Sequence, residues 1–326
     1  PADRSAHVRA FVDAAPDLRA AGYVDTESSR VVFANSAGHR AASGATRATV
    51  DGIHQTASSA GSAHQTSARF AELDGGAAGA LAGDLARRGE DPIDVDPGRY
   101  EVVLSPECVA TILIFLSFYG FNAKQHLEGQ SFVRLGEAQF DPTVSVWDDA
   151  TDPRAIALPF DAEGTPKQRL DLVTNGTSTA LAHDRRTAAR SDTASTGHAL
   201  HGGESMGPVP LNLFLGRGDA SGDELIAEVE RGILVTTFNY CRALDPKTQV
   251  VTGLTRNGTF LVEGGEIGKP LTNLRFTQSF VEALSGGRVL GLGSDARFAD
   301  SELGPGMVHT PSIRLAEWNF TGGAQG

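Results

Sequence analysis

Val250–Val262, VVTGLTRNGTFLV, and Arg169–Ala182, RLDLVTNGTSTALA, both place apolar and β-branched residues on either side of an Asn-Gly pair. Such a pair supplies the two left-handed residues of a type I′ turn, whose twist matches the strands it joins. Both stretches therefore predict hairpins, turning at Asn175-Gly176 and at Asn257-Gly258. Working outward, Leu211–Leu215 and Ile233–Phe238 read as further strands, and Val308–Phe320 as one closing strand. Within Asp223–Arg231, Leu225, Ile226 and Val229 share one face of a helix. The pattern predicts an α+β fold whose sheet is largely antiparallel.

Upstream, Arg99–Leu104 reads as a strand. Ser105, Pro106 and Glu107 then open a helix with a cap, a first-turn proline and an early acid. That helix, to about Tyr119, is apolar nearly all round and should be buried. Before it, Asp91–Gly98 carries two prolines that break both helix and strand, which marks a domain boundary. Residues 1–96 are thus expected to be an N-terminal α/β domain and 97–326 a β-rich C-terminal one. In the first domain, Ser5–Ala21 suits a helix interrupted at Pro16, Tyr23–Asn35 a strand, 36–69 polar extended strands, and Gly75–Glu90 a helix. Because the chain opens on Pro1, this domain is expected to lack an N-terminal piece.

The 326 residues carry 28 Lys plus Arg against 40 Asp plus Glu, a net charge of −12 that repels a phosphate backbone, and no basic stripe offsets it. Nucleic acid is not an expected partner. Val109–Tyr119 is the longest apolar run and falls short of the roughly 20 residues that cross a bilayer, so no membrane association is expected. Two cysteines, Cys108 and Cys241, are too few for a disulfide framework or a four-thiolate zinc site, and fit a reducing cytoplasm. There is no H-E-x-x-H, no G-x-S-x-G elbow and no phosphate-cradling glycine loop. Among nine histidines, His198 and His201 form H-x-x-H in a glycine-flanked segment. They could contact a peptide, or converge with His183 on a metal.

Several of these words occur together in one family. Gly164-Thr165-Pro166 with Gln168-Arg169, Asn175-Gly176, His183–Ala188, and Ser195–Ala199 resemble, in order and spacing, the TldD/PmbA family, known as modulators of DNA gyrase. Asn35–Gly38, Asp223–Ile226, Gly232–Val235, Asn257-Gly258 and Gly265–Ile267 extend the similarity. The resemblance implies a two-domain protein with a curved, mostly antiparallel C-terminal sheet, acting as a dimer around an enclosed cavity. In the TldD half, a helix bearing H-E-x-x-x-H before L-E-G, with a C-terminal cysteine, holds a metal that hydrolyses unfolded peptides. The PmbA half, or TldE, lacks those ligands.

Leu127-Glu128-Gly129 matches the closing L-E-G, which sets Gly120 and Gln125 at the two histidine positions and Phe121 at the glutamate. None can do the original work: glycine offers no ligand, phenylalanine no base, and a glutamine amide ligates zinc poorly beside imidazole. His126 falls one position late, and no cysteine follows Cys241. The resemblance thus implies a non-catalytic, TldE-like subunit holding no metal or cofactor, with zinc expected only in a TldD-like partner. Together the two chains would enclose and cleave unfolded or leader peptides. Gln125, His126, Glu128, His198 and His201 are the residues expected to face peptide or partner. The alternatives are a metal-free, peptide-binding homodimer and a diverged peptidase with a metal relocated to His198 and His201.

Overall fold

In a computed structural model, which describes residues 2–203, 205–302 and 304–323, one of the two expected hairpins is present and the other is not. The chain runs α1 (Ala2–Asp13), β1 (Arg19–Ala34), β2 (Arg40–Gln55), β3 (Ala60–Ser67), α2 (Gly75–Arg88), β4 (Gly98–Leu104), α3 (Pro106–Tyr119) and α4 (Ala123–Leu127). Next come β5 (Val146–Asp148), β6 (Leu170–Thr174), β7 (Thr177–Ser178), α5 (Arg185–Arg190), β8 (Leu213–Leu215), α6 (Gly222–Ala227) and β9 (Arg231–Asp245). The remainder is β10 (Val250–Glu263), β11 (Glu266–Pro270), β12 (Leu274–Ser279), α7 (Phe280–Ala283), β13 (Val289–Leu292), β14 (Arg297–Ser301), β15 (Gly304–Thr310) and β16 (Ile313–Gly323).

Asn175-Gly176 does turn the chain, with Thr174 paired to Thr177 across β6 and β7 and both turn residues at positive φ. Asn257-Gly258 does not. β10 runs straight through it, and the pair, at φ 54° and 146°, forms a bulge where the register against β9 shifts between Arg256 and Thr259. The reversals lie on either side. Asp245 accepts from the Lys247 N–H and the Thr248 hydroxyl to close the β9–β10 turn, and Gly264-Gly265 closes β10–β11. A left-handed pair thus bends a long strand when neighbours on its flanks already fix the direction of the chain. The expected closing strand is also two: Pro311, which has no N–H to give a ladder, separates β15 from β16. The helix expected over Asp223–Arg231 ends at Ala227.

Three sheets result. β1-β2-β3 is an antiparallel meander. A second sheet follows β11-β10-β12-β16-β4-β9, with β13 on β16, and because β9 also pairs with β10 the curved sheet closes on itself. The third is β14-β15-β8-β5-β6-β7. Two pairings, β4–β9 and β8–β15, are parallel, so the antiparallel expectation holds for most of the sheet but not all.

α3 lies between the closed sheet and the third sheet, touching β9 and β4 on one side and β14 and β15 on the other. Packing on two sides explains a helix without a polar face: Cys108 through Ser117 are all buried. Trp318 on β16 stacks on Phe238 (5.2 Å) and Phe280 (5.8 Å) and meets Phe276 edge-on (5.3 Å), filling the closed sheet's interior. Each such side chain taken from water contributes about 1.5–3 kcal/mol, so this layer holds α3 and its C-terminal end in place. α2 and Phe11 of α1 cover the β1-β2-β3 meander. No helix among the described residues is long and apolar enough to cross a membrane.

Candidate functional site

The L-E-G segment and its neighbours sit where α3 ends. Gly120 caps α3, and its N–H and that of Phe121 both reach the Leu116 carbonyl, at 2.8 and 3.1 Å. The chain then breaks before restarting as α4, whose cap is the fully buried Asn122. Its Oδ1 accepts from the Lys124 and Gln125 N–H groups, and its Nδ2 donates to the Phe118 and Met206 carbonyls. One continuous helix carrying ligands a turn and a half apart is therefore absent here. Backbone bonds from Ala182 to Phe121 and from Ala123 to Ala182 lock the break against the strand-like segment after β7.

The positions where the resemblance puts metal ligands are filled by core. A Cβ built at Gly120 would overlap the Phe132 ring. Phe121, 1% exposed, packs edge-on against Phe132 (centroids 5.6 Å) and beside Phe140 (6.5 Å), which meet each other at 5.9 Å. These residues do not fit a zinc ion: the first histidine position, Gly120, is pressed against the Phe132 ring, the glutamate position is Phe121 within the three-phenylalanine cluster, and Gln125 offers only an amide. Gln125 and His126 are half-buried on α4, and Glu128 is exposed, paired with Lys124 at 3.2 Å.

His198 and His201 do not converge. His198 is buried, with Nε2 3.0 Å from Asp148 Oδ1 and Nδ1 2.8 Å from Thr196 Oγ1. The assignment that satisfies all partners has Nε2–H donating to Asp148 and the Thr196 hydroxyl donating to Nδ1. Burial opposes ionisation of Asp148, but the His198 hydrogen bond, the Lys167 charge and the Asn212 N–H together hold its carboxyl below its ordinary value. His201 lies exposed in the following turn. With both nitrogens of His198 committed and His201 in solvent, the relocated metal site fails: the spacing was right for two ligands, but one of them is a core hydrogen-bonding group. His183 is half-buried, and desolvation lowers its imidazole below the ordinary value against the opposing pull of the Thr187 backbone and the Asp184 charge.

Residues missed by the sequence reading tie this region together. Asp148 ends β5 and holds both His198 and the Asn212 N–H. Asp161 accepts from the Glu163 and Thr165 N–H groups through Oδ1 and from Ala199 through Oδ2, fastening the Gly164-Thr165-Pro166 loop to Gly197–Ala199. Asp184 caps α5 through a reciprocal box with Thr187. The segments 164–166, 183–188 and 195–199 are thus held by part-buried side-chain bonds. Two aspartates without a nearby basic residue in sequence gave no signal of these partnerships.

The architecture is that of an α+β chain whose buried helix lies between a closed, mostly antiparallel sheet and a second sheet, and ends in a packed break. Residues 97–322 match the family described as PmbA/TldA metallopeptidase C-terminal domain. The chain belongs to the PmbA/TldD family. A metalloprotease of Methanothermobacter thermautotrophicus is 29% identical over 211 residues, 61% of this chain and 44% of that protein. A TldD homologue of Haemophilus influenzae is 26% identical over 46% of this chain and 32% of its own length. The chain thus spans less than half of these curated relatives. Among solved structures, TldE from Thermococcus kodakarensis superposes with a TM-score of 0.84 at 18% identity, over 99% of this chain and 74% of that one. A Thermotoga maritima protein named as a modulator of a DNA gyrase gives 0.85 at 19%, over 98% and 74%. At these identities the likeness is one of fold.

Proposed function

We propose that this chain is the non-catalytic, TldE-like subunit of a TldD/TldE-type metallopeptidase, completing with a ligand-bearing partner a cavity that encloses unfolded or leader peptides. The observation that carries the reading is the aromatic plug: Phe121, Phe132 and Phe140 occupy the space where the family's helix would present its ligands. A chain that had only lost a ligand would leave a polar hole; this one has repacked the position as core. The general base is gone with Phe121, so hydrolysis by the family's mechanism has no proton acceptor here. What remains is binding. β1 is a sixteen-residue edge strand, exposed over most of its length, and an extended peptide can pair with such an edge through main-chain hydrogen bonds. Gln125 and His126, half-buried on α4, and the exposed Glu128 and His201 are the candidates for contact with peptide or partner, whereas His198 acts through the loop it holds. Two buried free thiols, both pushed up by burial, suit the cytoplasm.

Co-expression with a homologue carrying H-E-x-x-x-H tests the reading. A one-to-one complex by native mass spectrometry supports it. A stable homodimer that ignores the homologue would favour the peptide carrier instead.

A further inference from the structure

We infer that this chain carries a cation site unrelated to the family's helix motif, a divalent transition-metal clasp formed by Asp51, His64 and Asp300. Asp51 and His64 are directly opposite each other in the β2–β3 register, so their side chains leave the same face of the meander. Asp300, near the end of β14, approaches that face from the C-terminal domain. One ligand atom from each lies within 4.8 Å of the other two. In an occupied tetrahedral site with bonds near 2.1 Å such atoms stand about 3.4 Å apart, so modest side-chain closure completes the geometry.

Proximity of carboxylates would not by itself make a site; His64 does. Its side chain is 6% exposed, and Nδ1, 3.9 Å from Asp300 Oδ2, has no hydrogen-bond partner among the described residues. The other nitrogen is fixed: Nε2 lies 2.8 Å from Thr66 Oγ1, itself 3.1 Å from Thr49 Oγ1. With Nε2–H donating to Thr66, the Nδ1 lone pair points at the two carboxylates. A metal-ligating histidine shows this arrangement, its remote N–H anchored by an outer partner that sets the tautomer. A protonated Nδ1 would face Asp300 Oδ2 across 3.9 Å, longer than a hydrogen bond, whereas a cation held between them would bind both.

The surroundings favour a cation. The three residues line a cleft of about 630 Å³ whose walls carry seven carboxylates against two guanidiniums, and one of the latter, Arg297, is already neutralised by a two-pronged pair with Glu107 at 2.6 and 2.9 Å. Imidazole with two carboxylates selects zinc or manganese over magnesium or calcium, which prefer all-oxygen shells. None of the three ligands comes from α3 or α4, where the family's motif position lies. Two ligands from the meander and one from β14 would pin the two parts of the chain together. The expectation of a chain without any metal is revised to this extent alone.

The test is titration of the chelator-stripped chain with Zn²⁺ and with Mn²⁺ by calorimetry, with elemental analysis after dialysis. One equivalent should bind and raise the melting temperature. Asp300→Asn and His64→Ala should each weaken binding at least tenfold, Thr66→Val about tenfold through the lost anchor, and the exposed His39→Ala not at all. Circular dichroism identifies any variant that fails to fold, and Asp300→Asn alone decides if His64→Ala does. No stoichiometric binding at 100-fold excess of metal, or binding that survives Asp300→Asn, overturns the site. Neither result depends on whether a partner chain exists, so this inference and the subunit reading fail separately.

Discussion

His198 and His201 differ by three positions in sequence and by everything in environment, and substitution will separate them. His198→Ala leaves Asp148 buried with the Asn212 N–H as its remaining strong partner. Breaking a buried pair in this way costs about 3 kcal/mol or more, whereas the exposed His201→Ala should stay within about 0.5 kcal/mol. Urea unfolding of the two variants measures both, and equal midpoints would show that the Asp148–His198 bond carries no weight. The same bond has a pH signature. The folded Asp148 pKa lies below its unfolded value, so its contribution is present above the unfolded pKa and is lost as pH falls through the folded one. The acid limb of the wild-type stability profile should therefore be steeper than that of Asp148→Asn. At Gly120, histidine cannot be restored by a single change, because the Phe132 ring stands where its Cβ must go. Gly120→His should lose about 1–3 kcal/mol to overpacking and gain no zinc at that position, as unfolding and elemental analysis of a variant that also carries Asp300→Asn would show.

Among the elements, β10 shows where sequence pattern misleads. Asn-Gly signals left-handed backbone, and the structure has left-handed backbone at 257 and 258; the error lies in reading that as a reversal. Whether such a pair turns or bulges is decided by what pairs on both flanks: β9, already reversed into β10 at residues 246–249, and β12, which pairs with β10 from beyond β11, hold the strand straight on through the pair. Gly258→Ala should destabilise by more than the roughly 1 kcal/mol of a mid-strand glycine change, since its φ of 146° disfavours a Cβ that would also overlap Thr236. Unfolding by denaturant checks it, and a neutral effect would mean that the bulge relaxes. α3 was legible for the opposite reason: capping residues and an unbroken apolar composition are local, and burial on two sides follows from them. Its abrupt end was not, because the break rests on Asn122 reaching Met206, more than eighty residues away.

For the whole molecule, family words made the C-terminal fold legible, and chemistry made the absent metal motif legible, but neither revealed what replaced it. Phe132 and Phe140 become partners of Phe121 only after folding, and Asp148 and Asp161 become anchors only when their loops are brought together. The Asp51–His64 pairing needed the strand register, and Asp300 a contact between domains. The proposed subunit role requires that the metal position at the end of α3 be closed and that the chain act together with a partner. Because zinc could still be held at Asp51, His64 and Asp300, metal content does not decide this; hydrolysis does. The decisive measurement is cleavage of an unfolded peptide, in the presence of zinc, by this chain alone, by a H-E-x-x-x-H homologue alone, and by the two combined. The account predicts no turnover from this chain alone and cleavage by the pair that exceeds the homologue's own; zinc-dependent turnover by this chain alone, at a rate matching the pair, would contradict it.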